Sequence, residues 1–126
     1  MTKEIAVEGC TLQFQNGGNG QIMINPNQTS LKAKAEGKGI YKTLQFQISG
    51  YTGQAITVTG SGTGQGEIKT TAQKVKVEGN LVFLTGDQSL PITINGQTTS
   101  GSSTVPATAV EIVKITDAGQ TKVKGS

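Results

Sequence analysis

Histidine, arginine and tryptophan are all absent from this 126-residue chain, and cysteine occurs once, as Cys10. Each absence removes a class of chemistry. Without histidine there is no Ser-His-Asp or Cys-His arrangement, and the commonest general base is missing. One cysteine and no histidine exclude a Cys/His zinc site within one chain, and an intrachain disulfide with it. Without arginine, the bidentate contacts that nucleic-acid binders use for phosphates and bases are unavailable. Aromatics make up 4% of the residues and hydrophobics 33%, so the core must be thin and an oligomer or partner is plausible. The chain opens Met1-Thr2-Lys3-Glu4-Ile5, without the apolar run of a signal peptide, and no stretch is long and apolar enough to span a membrane. The expectation is synthesis in the cytosol.

What remains is 18 glycines among many Thr, Gln and Ser, with apolar residues spaced by two, the mark of short strands and tight turns. That patterning argues against the disorder that so polar a composition would otherwise allow. The length suits one domain. The net charge is +3, and all eleven cations are lysines.

The sequence repeats itself. Lys74-Val75-Lys76-Val77-Glu78-Gly79 matches Lys32-Ala33-Lys34-Ala35-Glu36-Gly37, with a truncated copy at Lys122-Val123-Lys124-Gly125 and a fainter one at Ile5-Ala6-Val7-Glu8-Gly9. Within a strand, the alternation puts Lys32, Lys34, Lys74, Lys76, Lys122 and Lys124 on one face with the glutamates. It puts Ala33, Ala35, Val75, Val77 and Val123 on the other. Glu36 and Glu78 would then pair with neighbouring lysines on the strand face, and the lysines would protect open strand edges. A second repeat is literal: Thr11-Leu12-Gln13-Phe14-Gln15 recurs as Thr43-Leu44-Gln45-Phe46-Gln47. Three unequal units follow, at about residues 4–31, 32–73 and 74–121.

The first unit should hold a hairpin between Phe14 and Ile22, turning at Asn16-Gly17-Gly18-Asn19-Gly20, with Pro26 ending its second strand. The second should include a strand at Ile56-Thr57-Val58-Thr59. Gly60, Gly62, Gly64 and Gly66 then mark a turn or a closely approached backbone, because neither nucleotide-binding glycine pattern is present. In the third, Leu81 to Leu84 and Pro91 to Gly96 read as strands, Gln97 to Thr104 as a flexible loop, and Val110, Ile112 and Ile115 as a returning strand. At most one helical turn fits, near Val105 to Ala109. The resulting expectation is an all-β domain, a compact β-prism or short β-helix of three pseudo-repeats, with small residues crowded near its axis.

Candidate chemistry is sparse. The carboxylates form no close pair or metal cluster; Asp87 and Asp117 read as turn residues, and Cys10 as a small core residue. Asn27-Gln28-Thr29 fits a glycosylation sequon by chance. No catalytic residue and no cofactor are expected.

The segments Thr71 to Gly79, Leu84-Thr85-Gly86-Asp87 and Asp117 to Lys124 resemble small proteins of phage-tail-like contractile injection systems. Those proteins are similar in plan to PAAR-repeat spike tips, and the resemblance covers most of residues 29–126. It implies a structural, non-catalytic tip or baseplate component capping a trimeric spike protein, able to carry cargo and built into a particle after synthesis. The chain departs from that pattern in having only Pro106-Ala107-Thr108-Ala109, no arginine and no His/Cys zinc site, which implies a metal-free variant. Two other readings stay open: a carbohydrate-binding β-module, suggested by the Thr/Gln/Asn-rich surface and the 97–104 stretch, and a self-assembling fibre or shell subunit. Neither nucleic acid nor a membrane is expected as partner.

Overall fold

The computed structural model describes residues 3–125. Fourteen strands and no helix are found among them: β1 (Lys3–Glu4), β2 (Thr11–Phe14), β3 (Asn19–Ile24), β4 (Thr29–Ala35), β5 (Lys38–Tyr41), β6 (Gln45–Thr52) and β7 (Gly62–Lys69) lead to β8 (Lys76–Val77), β9 (Asn80–Leu81), β10 (Gln88–Ser89), β11 (Ile92–Ser100), β12 (Ser103–Glu111), β13 (Val113–Asp117) and β14 (Lys124–Gly125). Eight of them form one antiparallel, unclosed sheet, and the other six form three two-stranded pieces, β1–β14, β4–β5 and β8–β9.

The large sheet is organised on β7. One edge of β7 carries β6, which continues to β3. Along its other edge lie β11 near its start, with Asn95 opposite Thr63, and β10 near its end, with Ser89 opposite Ile68. From β11 the sheet passes to β12, and from β10 to β13 and then β2. The alternating glycines explain why β7 can sit there. Gly62, Gly64 and Gly66 face the interior, and a Cβ on Gly66 would come within 2.6 Å of Ile92 and 3.3 Å of Phe46. Removing side chains from one strand lets the large residues of its neighbours, Phe46, Tyr51, Ile92 and Ile94, pack over its backbone. These four join Leu44, Ile48, Ile68, Val113 and Ile115 in the main core. Gln45, Gln47, Thr63 and Gln65 alternate with them on the outer face.

Several expectations are corrected. β2 and β3 form no hairpin; β2 pairs with β13 and β3 with β6. The 16–18 turn is held instead against the end of β12, where the Glu111 carboxylate accepts the Asn16 and Gly18 N–H groups at 2.8 and 3.0 Å. Residues 97–104 are no loop. They are the end of a regular hairpin running from Ile92↔Glu111 to Ser100↔Ser103, and Val105 to Ala109 is strand, with no helical turn. Ile56 to Thr59 form no strand; they strap across β11, with the Thr57 and Val58 N–H groups both donating to the Gln97 carbonyl at 3.1 Å. Pro26 does lie just beyond the end of β3.

Candidate docking surface

The three small pieces are the charged copies. In β4–β5 and β8–β9 the strands are joined by Glu36-Gly37 and Glu78-Gly79, with φ of 50° and 78° and of 51° and 83°. Positive φ at both central residues is the type I′ geometry that matches strand twist. The two glutamates are therefore turn residues, and the expectation that they sit on the strand face beside the lysines is corrected. Left-handed backbone redirects each carboxylate. Glu36 accepts the Thr121 N–H at 2.9 Å, and Glu78 lies 3.8 Å from Lys42. The Ser30 hydroxyl foremost holds the Glu78 carboxyl below the usual carboxylate range; desolvation opposes it, and Lys42 and Lys32 add smaller lowering effects. At the equivalent turn, Glu8 accepts the Thr29 hydroxyl at 3.5 Å.

Inward, the copies meet. Ile5, Val7, Ala35, Ile40, Val77 and Val82 share one buried cluster, separate from the main core, with Ala33 and Val75 packed against it. Val7, Ala35 and Val77 occupy matching positions in the repeat, as do Ile40 and Val82. Backbone hydrogen bonds stitch the pieces together: the Ala6 N–H donates to Phe83, Val7 to Ala118, and Glu8 to Gly39. Val123, expected inside, is instead exposed at 37%. Its neighbour Gly125 is the buried residue, and a Cβ on it would come within 3.0 Å of Val75 and 3.2 Å of Ile5. The last copy thus offers a bare backbone where the others offer Ala or Val.

Outward, Lys32, Lys34, Lys74, Lys76, Lys122 and Lys124 are all exposed. Of these six only Lys124 has a carboxylate within ion-pairing distance among the described residues, Glu4 at 3.7 Å. The glutamates that follow two of these lysine pairs in sequence, Glu36 and Glu78, are engaged with Thr121 and Lys42 instead.

Comparison with known proteins gives no match. No family model, no curated protein and no solved structure corresponds to the chain.

Three buried polar side chains hold these pieces in place, and nothing in the repeat pattern pointed to them. Gln28, before β4, donates to the Asn25 and Gln45 carbonyls and accepts the Gln45 N–H and the Thr43 hydroxyl. Gln120, before β14, donates to the Ile5 and Val123 carbonyls and accepts the Lys122 and Val123 N–H groups. Asp87, expected as an ordinary turn residue, is 1% exposed and accepts the Thr71 N–H and hydroxyl and the Leu84 N–H. The one shared signal was a Gln-Thr pair ahead of a lysine copy, at Gln28-Thr29 and Gln120-Thr121. Every buried side-chain polar atom described has a partner.

Other chemistry has little purchase. No group of three or more His, Cys, Asp or Glu stands ready for a metal among the described residues. Cys10 is half-buried; burial chiefly, and Asp117 to a lesser degree, raise its thiol from 9.0 to about 11 despite an opposing backbone hydrogen bond. Phe46, Tyr51, Tyr41 and Phe83 are buried, and Phe14 packs edge-on against Tyr51 at 5.2 Å. Phe14, half-buried beside an open groove, is the described ring that keeps some exposure. The outer sheet face holds open grooves, one of 440 Å³ beside Met23, Gln47 and Asn95, without charged groups in its lining.

Proposed function

We propose that the protein is a structural, non-catalytic, PAAR-like tip or baseplate component that caps the trimeric spike of a contractile injection particle. One observation carries this reading: Val7, Ala35 and Val77, equivalent residues of three copies widely separated in sequence, share one cluster, and the copies at 32–37 and 74–79 turn equivalent lysines outward. A single chain that presents the same element three times is suited to a partner with true threefold symmetry, because three like contacts replace one. In this reading the three small β-pieces are a pseudo-threefold prism, and the eight-stranded sheet is the body that projects from it. The absence of a zinc site is met by packing and by the buried polar clamps at Gln28, Asp87 and Gln120. The likeness of residues 29–126 to injection-system proteins supports the assignment of the partner. No described helix is long and apolar enough to cross a membrane.

The test is co-expression with a trimeric β-helical spike protein encoded beside it, followed by native mass spectrometry. One copy per spike trimer is the expected result. A monomer indifferent to the spike, or a homo-oligomer formed without it, overturns the reading.

A further inference from the structure

The eight-stranded sheet is open, and two of its end strands face each other across the opening. β2 has β13 as its neighbour and β3 has β6, and each is unpaired along its other edge. Both edges line one groove of 350 Å³, with Leu12 and Phe14 on one side and Gly20 and Ile22 on the other. The ladder bonds fix which backbone groups point into this seam. The Gln15 N–H donates to the Ile112 carbonyl and the Asn25 N–H to the Gln45 carbonyl, both at 2.9 Å. Successive residues of a strand turn their backbone groups to opposite edges. Gln13 and Met23 therefore also face their ladder partners, while the N–H and C=O groups of Leu12, Phe14, Ile22 and Ile24 face the seam. The side chains of these four residues are half-buried against the main core. The remaining end strand, β12, shows a defended edge. There the Gln54 amide accepts the Val110 N–H at 3.1 Å and donates to the Val110 carbonyl at 2.7 Å. Pro106, at the same parity as Val110, has no N–H to offer. β2 and β3 carry no proline, and no described side chain bonds their seam groups.

We propose that the seam takes one extended segment of a partner protein, which adds as a strand between β2 and β3 and completes the wall over the main core. Hydrogen bonding and charge together choose this occupant. Donors and acceptors at strand spacing face the groove from both sides, and an extended polypeptide is the ligand that meets both rows at once. No charged side chain lines the groove, so the residues that enter it are uncharged. Apolar side chains at every second position then cover Leu12, Phe14, Ile22 and Ile24. Each step from β3 through β6, β7, β10 and β13 to β2 is antiparallel, so β2 runs opposite to β3. A single inserted strand is therefore antiparallel to one edge and parallel to the other. Each of the fourteen described strands already has a partner, so the segment comes from a different protein. This inference does not rest on the assignment of a spike.

The test uses the full chain and two probes. One is the peptide Lys-Thr-Val-Thr-Val-Thr-Val-Lys, blocked at both ends; the other is the same peptide N-methylated at its valines, which removes the donors along one edge. Amide hydrogen exchange is followed by NMR. In the free protein the Leu12, Phe14, Ile22 and Ile24 amides should exchange at least about 10-fold faster than those of Gln13 and Met23. Excess unmodified peptide should slow these four amides at least about 10-fold, and the methylated peptide should bind at least about 10-fold more weakly. Equal affinity for the two peptides overturns strand addition, as does binding that leaves the four amides unprotected. No binding of the unmodified peptide at about 1 mM overturns it too. If the four amides are already protected in a monomer, the seam is closed and the proposal fails. Protection that grows together with a dimer on sizing overturns the choice of partner, because a second copy then fills the seam.

Discussion

The two apolar clusters of this molecule are built on opposite plans. The main core is built of large side chains, with Leu44 and six isoleucines among them, and Phe46, Tyr51, Ile92 and Ile94 close over a strand stripped to glycine. In the small cluster, Ala and Val predominate, and much of the holding together falls to backbone hydrogen bonds and buried amides. The lesson is that a chain with one-third hydrophobic residues can still fold by spending its bulk in one place. The other place must then be thin, cross-linked and tolerant of a varied exterior. The first prediction tests this difference directly. Phe46→Ala removes a fully buried ring beside glycine, where no neighbour can expand to fill the space, and should cost about 3–5 kcal/mol in urea unfolding. Val77→Ala removes two methyl groups from the small cluster and should cost about 1–2 kcal/mol. Equal losses would mean that the two clusters are one cooperative core.

Cys10 reports on the seam between the two. It packs against the main core, while its N–H donates to Val7 of the small cluster. Because burial lifts its thiol from 9.0 to about 11, the folded state holds that proton more tightly than the unfolded chain. Stability from this group is complete below pH 9 and is lost as pH rises through about 11. At pH 8 the thiolate fraction is lowered roughly 100-fold, so iodoacetamide should alkylate the native protein about that much more slowly than the chain in urea. Comparable rates would show that the seam opens freely.

Glu111 belongs wholly to the main core and is held by donors alone. Its two oxygens receive the Asn16 and Gly18 N–H groups and the Tyr51 hydroxyl, the last at 2.6 Å. In Glu111→Gln, an amide NH2 faces one of those donors whichever way it is turned. The expected loss is about 2–3 kcal/mol by thermal unfolding, with volume nearly unchanged. Tyr51→Phe, which removes a single donor, should lose about 1 kcal/mol. If Gln is tolerated at 111, the turn at residues 16–18 is held by something other than this carboxylate.

Much of this was readable in the sequence, and the unreadable part has a consistent cause. Strand identity at 45–48 and 92–96 followed from period-two alternation, since one side of each strand faces a core, although the strands begin after Leu44 and Pro91. The convergence of Ala35 and Val77 was foreshadowed by their repeat positions. Pairing was another matter. The two TLQFQ copies read alike yet found different neighbours, because partner choice is set by long-range contacts such as Glu111 with the 16–18 turn. The 97–104 stretch looked mobile because threonine and serine alternate there without apolar contrast. A hairpin exposed on both faces needs none. Glu36 and Glu78 were misplaced by extending the strand period one residue into a turn, where the backbone reverses the side chain. The lysines were visible from the start, but not that Glu36 and Glu78 turn to Thr121 and Lys42.

The smallest effect expected is the one most specific to the comparison. Replacing Lys32, Lys34, Lys74 and Lys76 together by glutamine removes four exposed charges from the small cluster and touches nothing buried. Their glutamates keep the partners they have in Thr121 and Lys42, so no carboxylate is stranded by the change. Exposed charges that lack a close partner contribute little to folding, and relief of mutual repulsion works in the opposite direction. The urea midpoint should therefore move by no more than the equivalent of about 0.5 kcal/mol. A loss of about 2 kcal/mol or more, on the scale of Val77→Ala, would mean that the lysine stems themselves cover the thin cluster. The outer face would then be part of the scaffold rather than a surface free of any folding role.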